Sequence, residues 1–308
     1  MSTETGVITV LHSTVYRVYE YFVLGGLVIT VVGAVICNQL NIALTAREAE
    51  WVSRGLFAAC FFGSYYMVRQ PELLARVSWE QSVQRQKLLL LKSMAGFMPT
   101  AILIVYYKEL LVTKPEGAVV AAGMLCFTWG YMLYHRALAD GVITQPAVAY
   151  WGVISLIDVL SLGASLRTTG WSIGSIQLLC WTLGASSVLG AIIWRARGSV
   201  AWQPSLTDRL CAAVSILAML IWLVGSPTLA LAALAVAMAA ACVPLVVSAA
   251  QGREVALPLA PFALGGLTGI FSVASWSQWQ NWVIPVIGLI SFGGVFLFAA
   301  VVKKQHGS

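Results

Sequence analysis

Apolar runs close to twenty residues long recur along most of this chain, separated by short polar connections. A helix rises about 1.5 Å per residue, so roughly twenty residues cross the ~30 Å hydrocarbon core of a bilayer. The strands of a membrane barrel would be about ten residues long and would alternate in polarity. The runs therefore predict an all-α fold, a polytopic bundle of about ten transmembrane helices.

Composition and loop length exclude a soluble domain within this chain. Of 308 residues, 59% are hydrophobic and 10% are charged, whereas roughly a quarter are charged in a typical soluble domain. The connections between the runs are too short to fold by themselves. The predicted spans are 22–43, 50–68, 88–107, 117–136, 146–166, 172–194, 207–225, 228–249, 256–275 and 280–302.

Basic residues are distributed unequally between alternate connections. With ten spans, thirteen of the 18 Lys and Arg residues lie on one side, and these thirteen include Arg17 and Lys303 near the two ends. Because basic loops remain in the cytoplasm, both termini are expected to be cytoplasmic, in a multi-pass protein of the cell (inner) membrane. The basic residues are scattered rather than gathered on one polar face, so a nucleic-acid partner is not expected.

One ionisable residue, Asp158, lies near the middle of a predicted span. Steps of three and four residues place it on one helical face with Trp151, Ser155, Ser161 and Ser165. Acids inside a membrane are costly and usually face a cavity or a partner. This stripe predicts the lining of a hydrated path, with Asp158 as a contact for solute or for a coupling proton. The alternative is that the acid and the serines only fix helix packing.

A second polar stripe, in the next span, contains Gln177, Trp181, Gly184 and Ser187. Later spans carry Gly265 and Gly288 on comparable faces, and Gly265 with Gly269 forms a GxxxG pattern typical of close helix contact. His135, at the cytoplasmic end of the fourth span, is expected to be interfacial and hydrated. The predicted substrate-binding residues are Trp151, Ser155, Asp158, Gln177 and Trp181.

Catalytic and metal-binding patterns are missing from the sequence. The six cysteines lie in different apolar runs without a CxxC, and the three histidines, His12, His135 and His306, lie near or outside span ends. There is no HExxH, no GxSxG and no pair of intramembrane carboxylates. We therefore expect no enzyme activity, no metal and no cofactor.

The C-terminal part of the chain has an internal pattern. Spans four to six and spans eight to ten share an outline, in which LYHRALADGVITQPAVAYWG corresponds to LVVSAAQGREVALPLAPFALGG. The seventh span would link the two triplets. Two three-helix units in the same orientation need one extra crossing between them, so the order is consistent with a 3+1+3 arrangement.

A family resemblance covers residues 117–302. The residues that carry it are Gly141, Pro146 and Trp151 leading into Asp158, the segment SLTDRLCAAVSILAMLIWL with Asp208 and Trp222, and then Pro227, Pro244 and Glu254. Through them the chain resembles the SWEET and PQ-loop group of membrane proteins, particularly uncharacterised bacterial members. Pro244-Leu245 stands where the family has Pro-Gln. The resemblance implies two three-helix bundles around a central small-solute site.

These predictions divide the chain into three parts. Residues 1–116 form an N-terminal addition of three transmembrane helices, 117–302 a seven-helix SWEET-like unit, and 303–308 a cytoplasmic tail. The predicted function is a transporter or facilitator of a small polar solute in the lipid bilayer. The alternative is a scaffold or assembly subunit, in which the extra spans and the basic connection from Arg69 to Lys92 dock a membrane-protein partner or a second copy.

Overall fold

The described part of the computed structural model comprises residues 24–42, 45–51, 54, 116–139, 143, 146–196, 205–225, 227–251, 256–271 and 279–306. Within it every regular element is helical and there is no strand. The helices are α1 (Leu24–Gln39), α2 (Glu116–Ala139), α3 (Val148–Thr169), α4 (Ile173–Ala196), α5 (Leu206–Val224), α6 (Pro227–Ala250), α7 (Ala256–Phe271) and α8 (Trp279–His306). The predicted all-α class is confirmed.

Among the described residues, four helical segments are long and apolar enough to cross a membrane, namely Gly117–Leu138, Ser175–Ile193, Leu206–Val224 and Ala232–Ala250. By length and composition they mark a transmembrane helical protein. All eight helices begin and end within four residues of a predicted span. The predicted span 88–107, the connection from Arg69 to Lys92 and nearly all of the span 50–68 lie outside the described residues.

Two helix starts are fixed by reciprocal capping contacts. At the start of α5, the Ser205 hydroxyl accepts from the Asp208 backbone N–H at 3.1 Å, and the Asp208 carboxylate accepts from the Ser205 N–H at 2.9 Å. Thr45 and Glu48 form the same box before the helical residues 46–51. Hydrogen bonds from the Thr45 backbone and hydroxyl lower the pKa of Glu48. These boxes satisfy N–H groups that a helix end otherwise leaves unpaired.

Six helices form two sets of three, the first set being α2–α4 and the second set α6–α8. Within the first set α4 packs against α2 and α3, and within the second α8 packs against α6 and α7. Between the sets α2 packs against α7, and α3 packs against α6. Helix α5 lies beside α3 and α6. The sets therefore meet along two helix pairs.

Glycines bring the helices of this core close together. A Cβ atom added to Gly184 on α4 would overlap the ring of Tyr131 on α2. A Cβ atom added to Gly265 on α7 would come within 2.6 Å of the ring of Phe127 on α2. Small residues allow such approach between membrane helices, so both contacts depend on glycine.

Helix α5 shows the contrast between the inside and the outside of the bundle. Its Leu210, Leu217 and Leu220 are more than half exposed, and these faces suit contact with lipid. Ser215 on the opposite face is fully buried and donates to the Ala237 carbonyl of α6 at 3.1 Å. A polar bond also joins α1 to the core, since the Asn38 amide donates to the carbonyl of Phe271 at 3.0 Å.

Candidate functional site: a cavity between the two helix sets

A cavity of about 170 Å³ lies between the two helix sets. One water needs about 10–15 Å³ by this measure, so the cavity has room for on the order of ten waters or one small solute. Every helix of both sets contributes to the wall, whereas α5 contributes none of the residues that line it. The lining residues are Phe127, Tyr131, Tyr150, Trp151, Ile154, Ile157, Asp158, Ser161, Gln177, Trp181, Leu234, Met238, Gly265, Gly266, Gly269, Gly288 and Phe292.

Aromatic rings form much of this wall. Phe127 lies at the centre of the group, with its ring centroid 5.0 Å from that of Trp181 and 5.8 Å from that of Phe292. Tyr150 and Trp151, which are adjacent on α3, pack edge to face at 5.0 Å. These separations are typical of favourable ring contacts, so the aromatic side chains support one another and hold the wall in shape.

Asp158 is the one acid among the residues that line the cavity. It is the eleventh residue of α3, and 7% of its surface is exposed. Its carboxyl group forms no hydrogen bond or ion pair with another described residue. Buried hydroxyls elsewhere on these helices have partners: Thr128 donates to the Met124 carbonyl at 2.8 Å and Thr268 to the Gly265 carbonyl at 2.6 Å. Asp158 is therefore a buried polar group whose partners must come from the cavity.

The structure brings together four of the five predicted site residues. Trp151, Asp158, Gln177 and Trp181 all line the cavity, the first two from α3 and the others from α4. Ser155 does not line it, although it lies on the same helical stripe. Its hydroxyl donates to the Trp151 carbonyl at 2.6 Å, a local bond that serine often makes within a helix.

The two ends of the predicted serine stripe have different surroundings. Ser161 lines the cavity three residues after Asp158 and makes no hydrogen bond with another described residue. Ser165 lies near the end of α3, where its hydroxyl is 2.9 Å from that of Ser175 on α4. Ser175 also donates to the Gly170 carbonyl at 2.7 Å and closes the turn between these helices. The stripe thus has two roles, since Ser161 lines the cavity and Ser165 packs against α4.

Two residues that line the cavity, Trp151 and Trp181, have indole N–H groups that are buried without a hydrogen-bond partner among the described residues. A buried donor without a partner costs about 1–3 kcal/mol. Because neither nitrogen atom is accessible, both N–H groups belong to the packing behind the wall.

Several residues of the site belong to the second set and were not predicted to bind substrate. Gly266 and Gly269 line the cavity from α7, and Met238 lines it from α6. Gly265 and Gly288 had been placed on polar stripes, but glycine signals close packing and gives no sign of a ligand. In the sequence, the GxxxG pattern of Gly265 and Gly269 was the nearest indication that this part of α7 lies at the site.

The prediction for His135 is wrong. The side chain is buried with 6% exposed, and its Nε2 lies 2.9 Å from the hydroxyl of Ser187 on α4. This bond joins α2 to α4 inside the first set. A position near a span end therefore did not make the residue hydrated, because a neighbouring helix covers it.

Comparisons with known proteins give no relative. The chain matches no protein-family model, no curated protein and no solved structure. The fold and the cavity therefore define the class, a transmembrane helical protein with a cavity between two sets of three helices.

Proposed function

We propose that this protein transports a small polar solute across the cell (inner) membrane through the cavity between the two helix sets. The observation that carries the proposal is the position of Asp158, an unpartnered carboxyl group on the wall of a cavity large enough for a small solute. Intramembrane acids of this kind mark solute or proton pathways. In this account the chain has ten spans with both termini in the cytoplasm.

The packing of the helices supports this proposal. The two sets have the same packing order. If α2 is exchanged with α6, α3 with α7 and α4 with α8, each pair of helices in contact becomes another pair that is also in contact. Helix α5 has no counterpart and acts as the link. Parallel repeats related in this way place substrate near the middle of the membrane, at the interface between them. The pattern is the 3+1+3 order that the resemblance to SWEET and PQ-loop proteins implies for residues 117–302.

Positions along the helices support the same relation. Asp158 and Ser161 line the cavity three residues apart on α3, and Gly266 and Gly269 line it three residues apart on the exchanged helix, α7. Phe127 lines the cavity from α2, and Met238 lines it from the exchanged helix, α6. Exchanged helices thus contribute residues to one site, as a duplicated unit would require.

The equivalence also separates two roles. The first set supplies Asp158, Ser161 and Gln177, whereas the second set supplies glycines and apolar side chains. We assign recognition of the solute to the first set. The second set, with its small and apolar lining residues, forms the surface against which the first set moves as a rigid body. This movement would open the site to each side of the membrane in turn. Asp158 is the group that contacts the solute or carries a coupling proton.

Replacing Asp158 tests this function. Asp158→Asn keeps the shape and removes the charge, and the loss of a hydrogen bond to a charged group is worth about 1.5–3 kcal/mol, so flux should fall roughly tenfold to a hundredfold. The measurement is uptake of labelled glycerol, glucose, alanine and choline into proteoliposomes. Asp208→Asn, the same change on the exposed first turn of α5, serves as the control.

Two results would contradict the proposal. If Asp158→Asn leaves both flux and its pH dependence unchanged, Asp158 has no part in the pathway. If the wild-type protein moves none of these solutes and purifies in mild detergent with a stoichiometric partner, the alternative role as a non-transporting assembly subunit replaces transport.

A further inference from the structure

The cavity combines one acid with a wall of aromatic rings and no basic side chain. Six of its lining residues are aromatic, and neither Lys, Arg nor His occurs among the described residues that form the wall. An ionised carboxylate in such a site lacks a partner for its charge, and burying an unpaired charge is costly. A positively charged solute would supply the missing partner.

Aromatic faces favour the same kind of ligand. The face of an aromatic ring carries negative charge and attracts an ammonium group within about 6 Å, most strongly when water is excluded. Trp181 and Phe127 are in contact at 5.0 Å, and Tyr150 and Trp151 are in contact at 5.0 Å, so rings from α2, α3 and α4 lie on the same cavity. The phenol groups of Tyr131 and Tyr150 also lie within electrostatic range of Asp158.

The size of the cavity limits the solute. A cavity of about 150 Å³ holds a molecule of the size of benzene, and this one measures about 170 Å³. The space therefore suits a solute of about six or seven non-hydrogen atoms.

From these features we infer that the site binds a small organic cation, with its ammonium group held between Asp158 and the aromatic wall. This inference rests on the proposed function, because it names the solute class of that same cavity. The second set adds no charged side chain to the site, since its lining residues are Leu234, Met238, Phe292 and the four glycines.

Matched charged and neutral probes test the solute class. Binding of tetramethylammonium, choline and ethanolamine to the purified protein is measured by calorimetry, alongside 3,3-dimethylbutan-1-ol, which is choline with a carbon atom in place of the charged nitrogen. At least one of the ammonium ions should bind roughly tenfold or more tightly than the neutral alcohol. Asp158→Asn should abolish this preference by weakening binding of the ammonium ions.

A second variant covers the case in which Asp158→Asn does not fold. Trp181→Leu should weaken ammonium binding more than binding of the neutral alcohol. If no ammonium ion binds more tightly than the alcohol to the wild-type protein, the cation site is wrong.

Uptake into proteoliposomes separates the two proposals. Ammonium binding that depends on Asp158 but gives no uptake would keep the cation site and overturn transport. Uptake of glycerol or glucose without any preference for ammonium would keep transport and overturn the cation site.

Discussion

Gly288→Leu is expected to reduce solute flux in proteoliposomes to the level of liposomes without protein. Gly288 lines the cavity from α8, and a Cβ atom built at this position meets no other atom within 4 Å. A leucine there therefore extends into free space rather than into a neighbouring helix. Its four carbon atoms would occupy much of a cavity of about 170 Å³, so the path closes while the bundle stays packed.

Gly190→Leu is the matched control for this variant. Gly190 is exposed on α4, and a Cβ atom built there also meets nothing within 4 Å. The control should retain wild-type flux, because its side chain extends away from the core. Both variants should elute as folded protein from size-exclusion chromatography. Wild-type flux in Gly288→Leu, with the protein folded, would show that solute does not pass through this cavity.

The second large effect is on stability. Gly184→Ala should lower the thermal unfolding midpoint in detergent by several degrees, because its Cβ atom would overlap the Tyr131 ring and force α4 away from α2. Overpacking of this kind costs about 1–3 kcal/mol. Scanning fluorimetry measures the midpoint, and Gly190→Ala on the same helix should leave it unchanged or raise it, since alanine is the better helix former.

A double mutant identifies the cause of this loss. Tyr131→Ala removes the ring that Gly184→Ala would meet, so the loss in the double mutant should be smaller than the sum of the two single losses. Fully additive losses, or a midpoint for Gly184→Ala equal to that of Gly190→Ala, would mean that α2 and α4 do not approach each other at this point.

The positions of the helices along the chain were predictable from the sequence, whereas the face of each helix that points into the bundle was not. The end of α2 was predicted at 136 and lies at Ala139, and the start of α7 was predicted at 256 and lies at Ala256. Lipid is as apolar as a protein core, so hydrophobicity cannot tell an inward face from an outward one. Phe127 and Tyr131, both on the cavity wall, looked no different in sequence from aromatic residues that face lipid.

Polar residues within the spans indicated where the site lies, but they did not show which of the serines line it. Asp158 could be placed on a cavity because an acid inside a membrane needs a partner or water. Ser155 and Ser161 lie on the same stripe, yet only Ser161 lines the cavity, while Ser155 donates to the carbonyl four residues earlier. The choice between these two uses of a hydroxyl depends on local backbone geometry, which spacing along the chain does not reveal.

The contribution of the second set needed three-dimensional structure. Gly266 and Gly269 line the cavity from α7 with the same three-residue spacing as Asp158 and Ser161 on α3. Because the two segments share little beyond hydropathy, sequence comparison alone gave no fixed register between them. Packing between the helices showed instead which helices of the two sets correspond.

The most direct test of the account is whether the cavity is open to water and is occupied by the solute during transport. In a protein whose native cysteines are replaced by serine or alanine, Ser161→Cys should react with a water-soluble thiol reagent, and a transported solute should slow that reaction. Val159→Cys, at a position 48% exposed on the outer face of α3, should neither react in the bilayer nor respond to solute. An unreactive Ser161→Cys, or one whose reaction the solute leaves unchanged, would contradict a solute path between the two helix sets.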